Sequence, residues 1–434
     1  MSKPTGLKYV LPVAVGKALR LAGRLRGGGS AFPGYATLKL APGFLQDATS
    51  QLEHGVVFVL GSNGKSTTTH MLSEVLRAHG VRVFTNPSGA NLPQGIASSL
   101  LAETSLTGRI DADIAVLEVD EAYALELAAL LRPTTVLALN TQVDQLYRFF
   151  ETERVADMMI DTLACATEHI VSNRDDPYLS KIDLRYADAA TQVYPDITYF
   201  GVSDEVITAS PHGLVNAPDH RGEALDVVVR TAHAEVVGTS TTGATVSIDG
   251  EVVDVTLPAK GLHYAIDAAA AMATASVILG PTFDGDAARQ AFDTMKPAYG
   301  RGELLQFGDE KVEFVMFKNA ASLQLNLDAI AEPPKQVLLA IDEGTPDISW
   351  IYDIDFSALD HVDVITGAKA WQIALCLAHQ GMRIGTVEPD LRAAIELMRR
   401  LPKPATGMKT WIVNYEQMML ARKHIGATQQ ENQR

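Results

Sequence analysis

The stretch Val56-Val-Phe-Val-Leu-Gly61-Ser-Asn-Gly-Lys65-Ser-Thr-Thr-Thr69 decides how the chain is read. Five apolar residues closing on a glycine predict a buried strand that feeds a phosphate loop. Gly61 and Gly64 can turn backbone N–H groups inward around phosphate oxygens because neither carries a Cβ. Ser62 and Asn63 complete the loop between them. Lys65 supplies a point charge for the β- and γ-phosphates, and the Ser66 or Thr67 hydroxyl can hold Mg²⁺. The run that follows puts Met71, Leu72, Val75 and Leu76 on one helical face, with Gly80 as a C-cap. That helix aims its positive dipole end at the same phosphates. The expectation is ATP binding with Mg²⁺.

The common phosphate loop has a glycine six residues before its lysine, and Val59 stands there. The compact form Gly-Ser-Asn-Gly-Lys-Ser-Thr resembles instead the loop of the Mur ligase and folylpolyglutamate synthase superfamily. Those enzymes turn a carboxylate into an acyl phosphate with ATP and let an amine displace phosphate.

Composition bounds the rest. The 434 residues allow two or three domains, and 47% apolar with 20% charged residues is ordinary for a globular chain. A formal charge of −16 argues against a general nucleic-acid binder, so no nucleic-acid partner is expected. The two cysteines, Cys165 and Cys376, lie in apolar helix-like runs and are expected to be small buried hydrophobes. No run reaches the roughly 18 uninterrupted apolar residues of a membrane span. No secretory cleavage site follows the N-terminus, so a cytoplasmic location is expected. Residues 7–26 combine apolar side chains with Lys8, Lys17, Arg20, Arg24 and Arg26. Such a basic amphipathic helix can rest on the inner membrane face, or pack on the ATPase domain with Pro12 interrupting it.

Strand-like and helical runs alternate through the first half and predict an α/β fold with a doubly wound parallel sheet. Expected strands are 56–60, 81–85, 112–119, 134–139 and 168–172, with helices at 66–79, 94–103, 122–131 and 154–167. The Thr-, Val- and Gly-rich segment 196–260 predicts antiparallel strands covering one sheet edge, before an alanine-rich helix at 263–279. Pro297-Ala-Tyr-Gly-Arg-Gly-Glu303 reads as a hinge. A Rossmann-like C-terminal α/β domain follows, with strands 312–317, 337–341 and 362–365, helices 368–380 and 388–400, and a last strand at 410–413. The expected organisation is an N-terminal helical segment (1–50), an ATP-binding domain (51–298), a C-terminal domain (299–426) and a disordered polar tail (427–434).

An ATP site needs a carboxylate at the mouth of a neighbouring strand to hold Mg²⁺. Asp113-Ile-Ala-Val-Leu-Glu118-Val-Asp-Glu121 offers Glu118, with Asp120 and Glu121 beside it. Asn140 ends the strand Thr135–Leu139 and precedes Asp144-Gln-Leu-Tyr-Arg148, so both Asn140 and Asp144 belong beside the ligand. Gly261-Leu-His263-Tyr-Ala-Ile-Asp267 opens the alanine-rich helix; the superfamily has Gly-x-His-Asn-x-x-Asn here, which makes His263 and Asp267 candidates for the nucleotide. Arg301, after the hinge, suits bidentate phosphate recognition on domain closure.

Several segments are similar to one branch, the MurT family: Ser30-Ala-Phe-Pro-Gly34, Leu38-Lys-Leu-Ala-Pro42, Ser88-Gly-Ala-Asn-Leu-Pro-Gln-Gly-Ile96, Leu117-Glu-Val-Asp-Glu121, Asn173-Arg-Asp-Asp-Pro177 and, above all, Asp347-Ile-Ser-Trp-Ile-Tyr-Asp353-Ile-Asp-Phe356. The resemblance covers nearly the whole chain. It implies the ligase subunit of lipid II isoglutaminyl synthase. The substrate would be the D-glutamate α-carboxylate of the lipid II stem peptide, amidated through an acyl phosphate. Ammonia would come from a GatD-like class I glutaminase, whose Cys–His pair Asp347 would complete.

The chain also departs from that branch. Residues 200–260 hold no cysteine, so the zinc ribbon of many relatives is not expected, and His212, His220 and His233 are unevenly spaced. Arg-Asp-Gln-x-Asp-Arg becomes Val143-Asp-Gln-Leu-Tyr147-Arg, and Lys-Asn-Pro-x-Gly becomes Lys318-Asn-Ala-Ala-Ser322. Two other readings stay open: an amino-acid-adding Mur or folylpolyglutamate-type ligase acting on another carboxylate, and a nucleotide-binding scaffold that completes a glutaminase.

Overall fold

The computed structural model describes residues 6–25, 31–86, 90–143, 152–187, 194–216, 225–295, 301–342 and 347–427. Two sheets organise them. The first has nine strands: β1 Val56–Leu60, β2 Val83–Thr85, β3 Ile114–Glu118, β4 Thr135–Ala138, β5 His169–Asn173, β6 Ile197–Val202, β7 Ala234–Thr239, β8 Gly243–Ile248 and β9 Glu251–Thr256. Their order is β2-β3-β1-β4-β5-β6-β7-β8-β9. The strands from β2 to β7 run parallel; only β7-β8-β9 form an antiparallel meander at the edge. The expectation of antiparallel strands over 196–260 therefore holds for the meander and not for β6.

Every residue of β1 is buried, as a parallel strand covered on both faces must be. Val56, Phe58 and Leu60 enter one core with the N-terminal helices, and Val57 and Val59 enter the other. That second core holds the helices Lys65–Ala78 and Leu262–Leu279. The direction in which connections cross the sheet reverses between β1 and β4: the helix after β1 leads to β2 on one side, and β4 leads to β5 on the other. The crevice at such a reversal is where this class of sheet binds ligands.

Helix Leu262–Thr282 is long and apolar enough to cross a membrane by length and composition, although no uninterrupted apolar run marks it in the sequence. Of its 18-residue apolar window 67% is buried, and it serves as a core helix. At the N-terminus, Pro12 falls in the first turn of the helix Val10–Leu25 and does not interrupt it, because an N–H there lacks a helical partner in any case. Cys376 is buried as expected; Cys165 is only half-buried at the core margin.

The second sheet comprises β10 Arg301–Phe307, β11 Glu310–Phe317, β12 Val337–Ala340, β13 His361–Thr366, β14 Arg383–Val387 and β15 Met408–Asn414. Its order is β10-β11-β15-β12-β13-β14, parallel except for the β10–β11 hairpin. The last strand is thus central, with Trp411 fully buried between the edges of Phe307 and Phe314. Residues 301–303, expected in a hinge, already belong to β10; residues 297–300 and the tail from 428 lie outside the described residues.

Candidate functional site

The phosphate loop sits at the C-terminal ends of β1, β3 and β4. Gly61 has φ +150° and Gly64 φ +85°, conformations that favour glycine. A Cβ on Gly64 would stand 2.3 Å from Asp267 Oδ1, so the helix Leu262–Leu279 packs directly on the loop. This places Asp267, itself buried, beside the loop as expected. His263 lies one turn earlier, its ring centroid 4.1 Å from that of Tyr264.

Lys65 is buried, and its Nζ donates to Glu121 Oε1 at 2.5 Å and to the Gly61 carbonyl. Ser66 Oγ donates to Glu118 Oε2 at 2.6 Å. Two buried carboxylates therefore face the first turn of the loop helix, one engaged by the lysine and one by the serine. Asn86 fixes the strand mouth, accepting from the Glu118 N–H at 2.9 Å and donating to the Glu118 carbonyl at 2.9 Å. The role of Glu121 was missed in the sequence, where it stood only as a neighbour of Glu118. A 3-10 turn at Glu121–Tyr123, capped by Asp120, brings it back to the lysine.

Asn140 braces the loop from the side. Its Oδ1 accepts from Asn63 N–H at 2.9 Å, its Nδ2 donates to the Asn63 carbonyl at 3.1 Å, and its own carbonyl accepts from Ser62 N–H at 3.0 Å. Asn140 thus stands beside the loop and positions its backbone. Behind it stands the Asn173-Arg-Asp-Asp segment. Asp176 is buried and accepts from Thr141 N–H at 2.7 Å, Thr141 Oγ1 at 2.9 Å, and the N–H groups of Tyr178 and Leu179 at 3.0 Å each. Burial pushes the Asp176 carboxyl up, against the pull of these donors. Asp175 is pushed up to about 6, first by burial, while Val202 N–H and Arg174 pull it down.

The second domain reaches the same loop. Asn319 N-caps the helix Ala320–Asp328 in a capping box with Ser322. Its Oδ1 also accepts from Asn63 Nδ2 at 3.1 Å, and Lys318 Nζ donates to the Ser62 carbonyl at 3.2 Å. These two residues were visible in the sequence only as an altered family motif. The far end of that helix is held by His212, whose ring nitrogens lie 2.8 Å from Asp328 and 3.4 Å from Asp355. His233 is likewise engaged, with Asp249 and Ser276. Asp144 and Tyr147 lie outside the described residues, as does the side chain of Arg301.

The loop fits a nucleotide phosphate. Ser62 Oγ and Thr67 Oγ1 are buried with no hydrogen-bond partner, although both flank a glycine cradle. Asn319 Nδ2 is another buried donor without one. Two carboxylates and a serine hydroxyl form the all-oxygen set that suits Mg²⁺ alongside phosphate oxygens.

Asp347 lies far along the second domain, after β12, and is exposed. Its Oδ1 accepts from Ser349 N–H at 2.9 Å, and its carbonyl accepts from Trp350 Nε1 at 3.1 Å. The Trp350 ring meets the edge of Phe317, with centroids 6.3 Å apart, and so anchors this turn to the core. The carboxylate is thus both a local cap and a preorganised surface group.

A phosphate loop at a topological switch point, faced by two carboxylates and closed by a second α/β domain, defines an ATP-dependent ligase of the Mur type. Residues 59–275, half of the chain, match the Mur ligase middle domain, and the chain belongs to the Mur ligase family. Residues 316–418 match the MurT ligase C-terminal domain, which places the chain in the MurT branch. It is 27% identical over 396 residues to the MurT subunit of lipid II isoglutaminyl synthase (glutamine-hydrolysing) from Streptococcus pneumoniae, covering 82% of this chain and 83% of that protein. The Staphylococcus aureus subunit of the same description is 21% identical, covering 83% and 84%. Among solved structures, MurF from Acinetobacter baumannii superposes with a TM-score of 0.66 at 15% identity, covering 91% of this chain and 80% of that one. MurF from Thermotoga maritima, in complex with ADP, gives 0.62 at 17%, covering 92% and 85%. Such distant structures speak for the fold alone.

Proposed function

We propose that this chain is the ligase subunit of a lipid II isoglutaminyl synthase. It amidates the D-glutamate α-carboxylate of the stem peptide with ammonia from a GatD-like class I glutaminase. The observation that carries the reading is the pairing of a Mur-type phosphate loop with a MurT-type C-terminal domain in one chain. ATP, when bound, supplies the phosphoryl group that converts the carboxylate into an acyl phosphate. Ammonia then attacks the acyl carbon and phosphate leaves, giving the amide.

The residues divide this work. Lys65 turns from Glu121 to the β- and γ-phosphates. Ser66 and Glu118 would hold Mg²⁺, with Glu121 freed as a further oxygen ligand. Gly61, Ser62, Asn63, Gly64 and Thr67 line the phosphates, while Asn140 keeps the loop in shape. His263, Asp267 and Arg301 remain the candidates for the rest of the nucleotide, and Asp144 for the reaction centre. Asp347 orients the histidine of the partner glutaminase and stabilises its cation. The site of action is the cytoplasm, at the inner membrane face where lipid II is exposed.

The test is amidation of lipid II by the purified chain with ATP, Mg²⁺ and ammonium chloride, read by mass spectrometry. The expected product is the α-amide, formed only with ATP. Absence of amide, together with amino-acid-dependent ATP hydrolysis, would transfer the chain to the amino-acid-adding ligases.

A further inference from the structure

The helix Val10–Leu25 is oriented the wrong way round for a protein in water. Its inner side is fixed: Val13 is fully buried, and a Cβ on Gly16 would stand 2.2 Å from Thr37 Oγ1 and 2.7 Å from Leu101 Cδ1. At 100° per residue, Leu11, Ala18, Leu21 and Leu25 then fall within about 80° of one another on the opposite side. Leu7, Leu11, Leu21 and Leu25 are 62% to 89% exposed. Phe32 and Tyr35 of the next helix, Phe32–Leu40, are exposed as well. A helix that serves only to pack on a domain would carry its charges on this outer face.

Charge completes the pattern. The first 40 residues hold seven Lys and Arg and no Asp or Glu, in a chain with 36 basic and 52 acidic residues and a net charge of −16. Lys17 and Arg24 border the leucine stripe on the helix. Lys8, by contrast, is paired with Asp47 at 2.6 Å and contributes little. A solvent-facing apolar stripe edged by cations, in an otherwise acidic protein, matches an anionic bilayer surface.

We propose that the outer face of the N-terminal helices docks on the anionic lipid headgroups of a membrane, with the leucines reaching the acyl boundary. This rests on the reading above that the substrate is lipid-linked. It adds a means by which the ligase meets that substrate in the plane of the membrane.

The test is flotation with vesicles of phosphatidylglycerol and phosphatidylcholine, against vesicles of phosphatidylcholine alone. The wild type should float with the anionic vesicles only, and added salt should release it. Leu11→Ser with Leu21→Ser should lower partitioning about tenfold per leucine. Lys17→Glu with Arg24→Glu should lower it about fivefold per charge. All four side chains are surface groups, so thermal unfolding should stay unchanged. No flotation of the wild type, or flotation untouched by both double variants, overturns the proposal. So does a dimer in solution that the leucine variants dissociate, since the face then belongs to a second copy of the chain.

Amidation with ammonium separates the two readings. The leucine variants should match the wild type on a water-soluble short-chain lipid II and fall behind it on vesicle-embedded lipid II. Wild-type protein that floats but amidates neither substrate would leave the docking face standing and remove the function.

Discussion

At the scale of single residues, the phosphate loop is held by a relay rather than by its own sequence. Asp176 fixes Thr141, Asn140 fixes both backbone groups of Asn63, and Asn63 reaches Asn319 in the other domain. Lys65→Ala removes the one charged side chain of the loop at 61–67 and should abolish ATP-dependent amidation with either nitrogen donor; retained activity would contradict the loop assignment. Asn140→Ala should leave the fold intact and raise KM for ATP about tenfold, by about 1.4 kcal/mol for loss of two hydrogen bonds. Titration of the variant with ATP checks it, and an unchanged KM would show that the loop keeps its shape unaided. Lys65 and Ser66 were legible in the sequence because the loop pattern names them by spacing, and Glu118 because it stands at the mouth of a neighbouring strand. Glu121 and Asn319 were not: one depends on how a 3-10 turn is capped, the other on contact between residues 256 positions apart.

At the scale of elements, buried strands and amphipathic helices announced themselves by their periodicity, and β1 with its helix appears where the pattern puts it. The position of a strand within a sheet is another matter. Residues 410–413 read as the last strand of the chain, and the strand Met408–Asn414 that contains them lies between β11 and β12, because order within a sheet is settled by crossover packing that no local pattern records. Pro12 was misread for a related reason, since its harm depends on whether it falls in the first turn. The end of β5 carries a titration of its own. Asp175, with a folded pKa near 6 against 3.8, binds its proton more tightly folded than unfolded. It should therefore cost stability as pH rises from about 4 to 6, and no further above that, on the order of 2 kcal/mol. Asp175→Asn should remove this loss. Urea unfolding of both proteins at pH 4 and pH 7 tests it: a stability difference that does not grow in favour of the variant between those values would contradict the burial argument.

At the scale of the whole molecule, the helix Ala320–Asp328 ties the domains together, one end on the phosphate loop and the other on His212. This arrangement would place the second domain so that its closure and nucleotide binding reinforce one another. His212→Ala should leave the melting temperature unchanged and lower amidation several-fold, while a compactness measurement by X-ray scattering shows a more open average. An unchanged scattering curve and rate would deny the helix this role. The succession of two α/β sheets was legible from the chain; the contact between them was not, since Lys318 meets Ser62 across 256 positions and His212 meets Asp328 across 116, on surfaces that each look ordinary alone. The proposed function stands on a ligase whose ammonia would come from a partner glutaminase, completed by the carboxylate of Asp347 exposed on the second domain. The measurement that meets this claim most directly is amidation of lipid II by Asp347→Asn in complex with the glutaminase, with glutamine and with ammonium chloride as alternative donors. Glutamine-driven amidation should be lost while ammonium-driven amidation stays near the wild-type rate; equal loss with both donors, or no loss with either, would contradict it.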